Sequence, residues 1–324
     1  MRNITGQAVV GDDLFGRDYE VGQLWEKLER GEHILMLAPR RVGKTSLMLE
    51  LRRAPRPSWD VIYLDLESGD SPADCFAAIL AGLANHPNYK NWLEAIPFRE
   101  SVGNVFKSLT ASVDIGVAQI EIKRAFAGEW EHAAAQLHGR LAALPEDGAR
   151  LLLVLDELPI LISRILNVDA RAAEAEKLLS RLRRMRQAPE LTNRVLTLIG
   201  GSIGLEGVLR RAGLSGLIND LAPLRVASWD RPTAVAFLSK LGEDNEFTLG
   251  SGHIEQMLDL LREPVPYHVQ LLFSEVHQDS RGIPGDVTAE AIERCFRDRL
   301  AGPSGTSHLD HYAERLETGL PEEE

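Results

Sequence analysis

The stretch "MLAPRRVGKTSLMLEL", residues 36–51, decides the reading of this 324-residue chain. Its centre, Gly43-Lys44-Thr45, has the spacing of a loop that wraps phosphate oxygens in consecutive backbone N–H groups. In such a loop the lysine reaches the outer phosphate oxygens and the hydroxyl that follows binds Mg²⁺, roles that fall here to Lys44 and Thr45. The backbone around the anion comes from Pro39, Arg40, Arg41, Val42, Gly43, Lys44, Thr45 and Ser46. A helix opening at Thr45 adds its N-terminal dipole. Ala38 stands where the first glycine of the pattern is expected. Alanine fits if its φ stays negative, and Pro39 favours that by holding the preceding residue extended.

The flanks supply the context such a loop requires. "HILMLAP", residues 33–39, reads as a short buried strand and "TSLMLELRR" as the helix after the loop. Further strands are expected at "DVIYLDLE" (60–67), "LLLVLD" (151–156), "VLTLIGG" (195–201) and "APLRVAS" (222–228). The nearly unbroken apolar runs at 151–156 and 195–201 suit central parallel strands. Helical stretches alternate with them: Val21, Leu24, Trp25 and Leu28 mark a first helix ending at Gly31, and Ser71-Pro72 with Asp74 makes a capping-box start for another. The fold class is therefore α/β, an open parallel sheet with helices on both faces. Beyond Asp230 the chain becomes helical throughout. The expected organisation is a nucleotide-binding domain over 1–229, an all-helical lid over 230–300, and a linker and tail over 301–324. Within the first lies an insertion, 87–130, where alternation through Val113, Ile115 and Val117 changes parity at Ile120 and Ile122. A hairpin turning near 116–119 is expected there.

Two carboxylates end the run "LLLVLDELP". At the carboxyl end of a buried strand they project into the crevice where such sheets bind ligands. Asp156 is assigned to the Mg²⁺ shell and Glu157 to polarising an attacking water. In "IGGSIG", Ser202 either senses the outer phosphate or caps the helix that includes Leu205 to Arg211. Arg181, Arg183, Arg184, Arg194 and Arg210 are candidates for an arginine that completes a neighbouring copy's site. His308 and His311 flank Asp310 in what reads as solvated helix.

Composition narrows the classes. A net charge of −12 argues against a chain that coats nucleic acid through bulk positive charge, leaving "SRLRRMRQ" (180–187) as the one local basic run. Cys75 and Cys295, far apart in helical segments, indicate neither a disulfide framework nor a metal cluster. No apolar run approaches the roughly 18 residues of a membrane span, and the first residues lack the layout of a secretion signal, so a cytoplasmic protein is expected.

Taken together, "LFGRDYEVGQL" (14–24), "APRRVGKTSL", "LLLVLDELP", "GGSIGLEGVLRR" and "EPVPYHVQLL" resemble the STAND-type P-loop ATPases. The likeness is to their archaeal-type AAA-like group, relatives of the Orc/Cdc6 initiators. The resemblance implies an ASCE/AAA-like P-loop NTPase fold with a helical lid, ATP/ADP and Mg²⁺ as cofactors, and a nucleotide-controlled switch in signalling or assembly. It implies that Gly16 and Arg17 lie near the adenine and that Pro264 touches the nucleotide. The group's Gly-x-Pro motif reads here Arg262-Glu263-Pro264, so only the proline carries over. Expected partners are the nucleotide and, on ATP binding, a further copy or another protein. The alternatives are an Orc/Cdc6-like DNA-binding ATPase and a non-hydrolysing nucleotide-dependent scaffold.

Overall fold

The computed structural model describes residues 1–89, 120–124, 130–145, 148–168, 172–201, 204–247, 249–280 and 287–302. By their contacts they belong to two compact units, one of Gly22–Leu37 with Glu50–Arg225, the other of Met1–Val21, Ala38–Leu49 and Val226–Glu324.

The first unit is built on a five-stranded sheet: β1 (Ile34–Leu37), β2 (Trp59–Asp65), β3 (Arg150–Asp156), β4 (Val195–Ile199) and β5 (Ala222–Arg225). The order is β2-β3-β4-β1-β5, and every neighbouring pair is parallel. All strand carboxyl ends therefore share one edge. Along β3 the residues from Leu151 to Asp156 are buried without alternation, as is all of β4. Successive side chains point to opposite faces, so both faces of the sheet are covered. This is why the sequence shows apolar runs where a half-exposed strand would show alternation.

Helices α1 (Asp18–Glu29), α2 (Lys44–Arg53), α3 (Pro72–Asn85), α4 (Trp130–Ala142), α5 (Leu158–Leu166), α6 (Ala172–Gln187) and α7 (Leu205–Arg211) come between the strands or just before them. Phe76, Ile79 and Leu83 of α3 join Leu153 and Leu155 of β3 and Leu178 and Leu182 of α6 in one core. The start of α3 is fixed as its sequence suggests. The Asp74 carboxylate accepts the Ser71 N–H at 2.9 Å, and Lys123 Nζ lies 2.8 Å from it. Burial pushes the Asp74 carboxyl up, but the bonds from Lys123, Ser71 and the Asp70 N–H outweigh it, so its pKa is lowered.

The second unit holds α8 (Arg231–Asp244), α9 (Ser251–Leu261), α10 (Pro266–Asp279) and α11 (Ala289–Cys295). Phe237, Phe247, Met257, Leu272 and Phe273 form its core, and Phe15 from the N-terminal segment packs against it. Asp230 caps α8 by accepting the Thr233 N–H at 2.8 Å.

One expectation changes. Ile120 and Ile122 belong to a helical segment, 120–124, where the second limb of a hairpin was expected. Ile122 is fully buried while Ile120 is 53% exposed. Two residues apart on a helix point about 200° apart, so the pair splits between core and solvent. The expected turn and first limb lie outside the described residues, as do Ser202, His308 and His311. Cys75 and Cys295 are both buried free thiols.

Candidate nucleotide site

The phosphate loop runs from the end of β1 into α2. Ala38 is not among the residues with positive φ, so the substitution costs the loop no backbone strain. Two residues do turn left-handed: Arg41 at φ 65° and Gly43 at φ 97°. The second value is one that only glycine adopts readily, which explains the fixed glycine of the pattern. Lys44 is 7% exposed, and its Nζ donates to the carbonyls of Ala38 at 3.2 Å and Pro39 at 3.0 Å. The loop thus curls around its own lysine. Two neutral carbonyls of the loop hold the ammonium in place.

Residues far away in sequence pin the loop. The Ser46 hydroxyl accepts the Val9 N–H at 3.0 Å. Arg17, 4% exposed, pairs with Glu20 and donates from one nitrogen to the carbonyls of Val42 and Ala227, both at 2.9 Å. Its role in the structure is to tie loop to chain. Gly16, expected beside it, is exposed; a Cβ there would lie 2.6 Å from Thr233 Cγ2. The Arg41 guanidinium lies 3.9 Å over the Tyr267 ring, and the Arg41 carbonyl accepts the Tyr267 N–H at 3.4 Å. Tyr267 was not foreseen. It is 226 residues from Arg41, and no local spacing signals such a pair.

Pro264 accepts the Trp229 N–H at its carbonyl, 3.2 Å away. Before it, Arg262 adopts φ 59°, ψ −57° while the Glu263 N–H reaches the Leu261 carbonyl at 2.6 Å. This is a γ-turn with positive φ at its centre, strained for any residue with a side chain. The glycine of the related motif is missing from the sequence, yet the backbone keeps a glycine-like geometry.

The candidate acids lie at the ends of β2 and β3, in the first unit. Asp65 is in register with Asp156. Asp156 is 2% exposed; its Oδ2 accepts the Tyr63 hydroxyl at 2.9 Å and its Oδ1 the Glu157 N–H at 3.0 Å. Glu157 is left-handed, φ 57°, ψ 23°, at the junction with α5. A Cβ at Gly201 would lie 3.2 Å from Glu157 Oε2 and 2.6 Å from Pro159 Cδ, so the glutamate reaches toward the end of β4. Burial, then the charges of Asp156 and Glu67, raise the Asp65 pKa against a bond from the Glu67 N–H. Burial and the Asp156 charge likewise raise that of Tyr63. Tyr63 and Asp65 were also missed. Their signal was the polar pair two residues apart at the end of "VIYLD", of the same kind that exposed Asp156.

The residue types fit a nucleotide with Mg²⁺: magnesium keeps most of its water and takes one or two protein oxygens beside phosphates, and a hydroxyl after the lysine in one unit and a fixed carboxylate in the other are oxygens of that kind. Among the described residues no group of three or more His, Cys, Asp or Glu is placed to hold a metal by itself.

The arginine candidates divide. Arg183 donates to the Gly216 carbonyl and Arg194 to the Ala142 carbonyl. Arg186, in the same basic run, is buried against Asp220 at 2.7 Å. Part of that run is consumed internally, leaving Arg184 exposed. No helix among the described residues is long and apolar enough to cross a membrane.

No protein-family model and no curated protein matches the sequence. Solved structures do match the fold. The chain is similar to a Walker-type ATPase of Pyrococcus abyssi, with TM-score 0.62 and 17% identity over 97% of this chain and 80% of that one. It is similar to the ORC2 protein of Aeropyrum pernix in its ADPNP-ADP complexes, with TM-score 0.54 and 12% identity over 92% and 72% of the two chains. For the ADP form of that protein the values are 0.53 and 13%, over 90% and 70%. The fold is an α/β P-loop fold followed by a helical C-terminal part.

Proposed function

We propose that this protein is a Mg²⁺-dependent P-loop ATPase that binds ATP and ADP, hydrolyses slowly by itself and acts as a nucleotide-controlled switch in signalling or assembly. The observation that carries the reading is the loop closed around buried Lys44, with Gly43 in a conformation only glycine takes readily. Because β1 and β3 are parallel members of one sheet, their carboxyl ends lie along the same edge, which supports the pairing of loop and acids. In this reading the backbone of residues 39–46 holds the phosphates, and Lys44 binds the outer oxygens. Thr45 and Asp156 hold the Mg²⁺ shell, Glu157 orients the attacking water, and Ser202 senses the outer phosphate. The metal would neutralise charge developing on the phosphates. Gly16, Arg17 and Pro264 would face the base side, with a nucleotide domain over 1–229 and a lid over 230–300.

The test separates binding from chemistry. Lys44→Ala loses nucleotide affinity by roughly a hundredfold, the order expected for removing a charge-assisted contact. Glu157→Gln keeps affinity and loses about a hundredfold or more in turnover. Unchanged nucleotide affinity in Lys44→Ala contradicts the proposal.

A second reading, an Orc/Cdc6-like ATPase that binds DNA, draws on the fold shared with the Aeropyrum pernix ORC2 protein. The net charge of −12 and the internal use of Arg183 and Arg186 weigh against it. Salt-dependent affinity for duplex DNA would support it; its absence at low salt would remove it.

A further inference from the structure

We propose that Tyr63 is the positioning residue for Asp156, holding that carboxylate in the single orientation from which it serves the magnesium shell. The inference rests on the Mg²⁺-nucleotide reading above and concerns a residue outside the motifs that suggested it.

The geometry begins with register. Tyr63 pairs with Val154 and Asp65 with Asp156, so the tyrosine stands two residues short of the strand end. From there its hydroxyl reaches along β3 to Asp156 Oδ2 at 2.9 Å. The other oxygen, Oδ1, accepts the Glu157 N–H at 3.0 Å, offered by a residue held left-handed at φ 57°. A donor on each oxygen fixes both the rotamer and the plane of the carboxylate. Two further carboxylates, Asp65 and Glu157, lie close enough to act on the tyrosine electrostatically. Like charges repel, so such a cluster favours rotation of a carboxylate away from its neighbours. A neutral hydroxyl opposes that rotation without contributing the charge that would compete with a cation. Lysine or arginine in the same place would neutralise the acid, and an apolar residue would leave it without its lateral anchor.

Tyr63 touches no phosphate and ligates no metal; it acts only through Asp156. Partners of this kind typically change metal affinity 10–100-fold when removed. The experiment measures binding of a fluorescent ADP to the full chain at a series of Mg²⁺ concentrations and in excess chelator. Tyr63→Phe is expected to bind metal-free ADP within about twofold of wild type. It should require roughly tenfold more Mg²⁺ to reach half of the metal-dependent gain. Introduced into Asp156→Asn, the same change should have no further effect, since its route is gone. Should Tyr63→Phe fail to fold, Tyr63→Met, equally without a donor, takes its place with the same expectation. An unchanged or lowered Mg²⁺ requirement in a folded variant overturns the inference, as does a full additional loss in the Asp156→Asn background. A merely structural tyrosine would lower stability and leave the metal requirement where it was. If wild-type protein binds no ADP with or without Mg²⁺, the ATPase reading itself fails, which is a different result.

Discussion

Glu157, Gly201 and Arg262 show how much of the candidate site depends on unusual backbone. Glu157 caps α5 from a left-handed conformation, and the Pro159 ring, with the Glu157 carboxylate beside it, occupies the space a larger residue at position 201 would need. Gly201→Ala should therefore displace Pro159 or the Glu157 carboxylate, leaving ADP affinity near wild type and lowering turnover by roughly tenfold or more, measurable by phosphate release. Arg262 carries strain of about 1–3 kcal/mol in its γ-turn. Arg262→Gly should relieve about 1 kcal/mol of it and raise the Tm by roughly 2–4 °C in a thermal melt; an unchanged or lowered Tm counts against the strain. At this scale the sequence was informative about charge and poor about conformation. Lys44 stood out by the Gly-Lys-Thr spacing of its loop and Asp156 as a carboxylate ending an apolar run. That Arg262 takes a glycine-like turn, or that Arg17 spends its donors on two carbonyls, follows from contacts between distant residues.

The elements were largely legible because both faces of the sheet are covered, which writes continuous apolar runs into β3 and β4. The capping box of α3 was equally plain, its donor and acceptor lying three residues apart. The stretch around Ile120 and Ile122 was misread because two isoleucines two apart satisfy a strand period, while five helical residues are too few to display 3.6. Lys123, in that helical segment, ties it to α3 through Asp74. Asp74→Ala should remove this link and the cap together, costing about 2 kcal/mol in a urea titration. Because the Asp74 pKa is lowered in the fold, its contribution is present above its unfolded value near 4 and fades as pH falls through the folded one. Between loop and α10, Arg41 and Tyr267 make a contact worth roughly 1 kcal/mol. Tyr267→Leu should lose about that much stability while Tyr267→Phe keeps most of it.

At the scale of the whole molecule, stability also depends on a histidine at the amino end of the sheet. His33, just before β1, accepts the Thr197 N–H at Nδ1, 3.1 Å away, and donates from Nε2 to the Arg186 carbonyl at 3.0 Å. The bond accepted at Nδ1 requires the neutral ring, whereas the one donated from Nε2 survives protonation. Burial, then the Arg186 charge, depress its pKa to about 4, against the Arg186 carbonyl and Asp220. The unfolded chain takes up this proton near pH 6.5, so stability is full above that value and is lost as pH falls toward 4. The loss reaches about 3 kcal/mol. Denaturant midpoints should fall across that window in wild type and stay flatter in His33→Asn.

The central claim is that the loop around Lys44 binds a nucleotide, and calorimetric titration of ADP with Mg²⁺ into wild-type and Lys44→Ala protein tests it most directly. One-to-one binding by wild type, weakened roughly a hundredfold in a variant with an unchanged circular dichroism spectrum, is the expected result. Equal affinity in the two proteins, or no heat of binding in wild type, would contradict it.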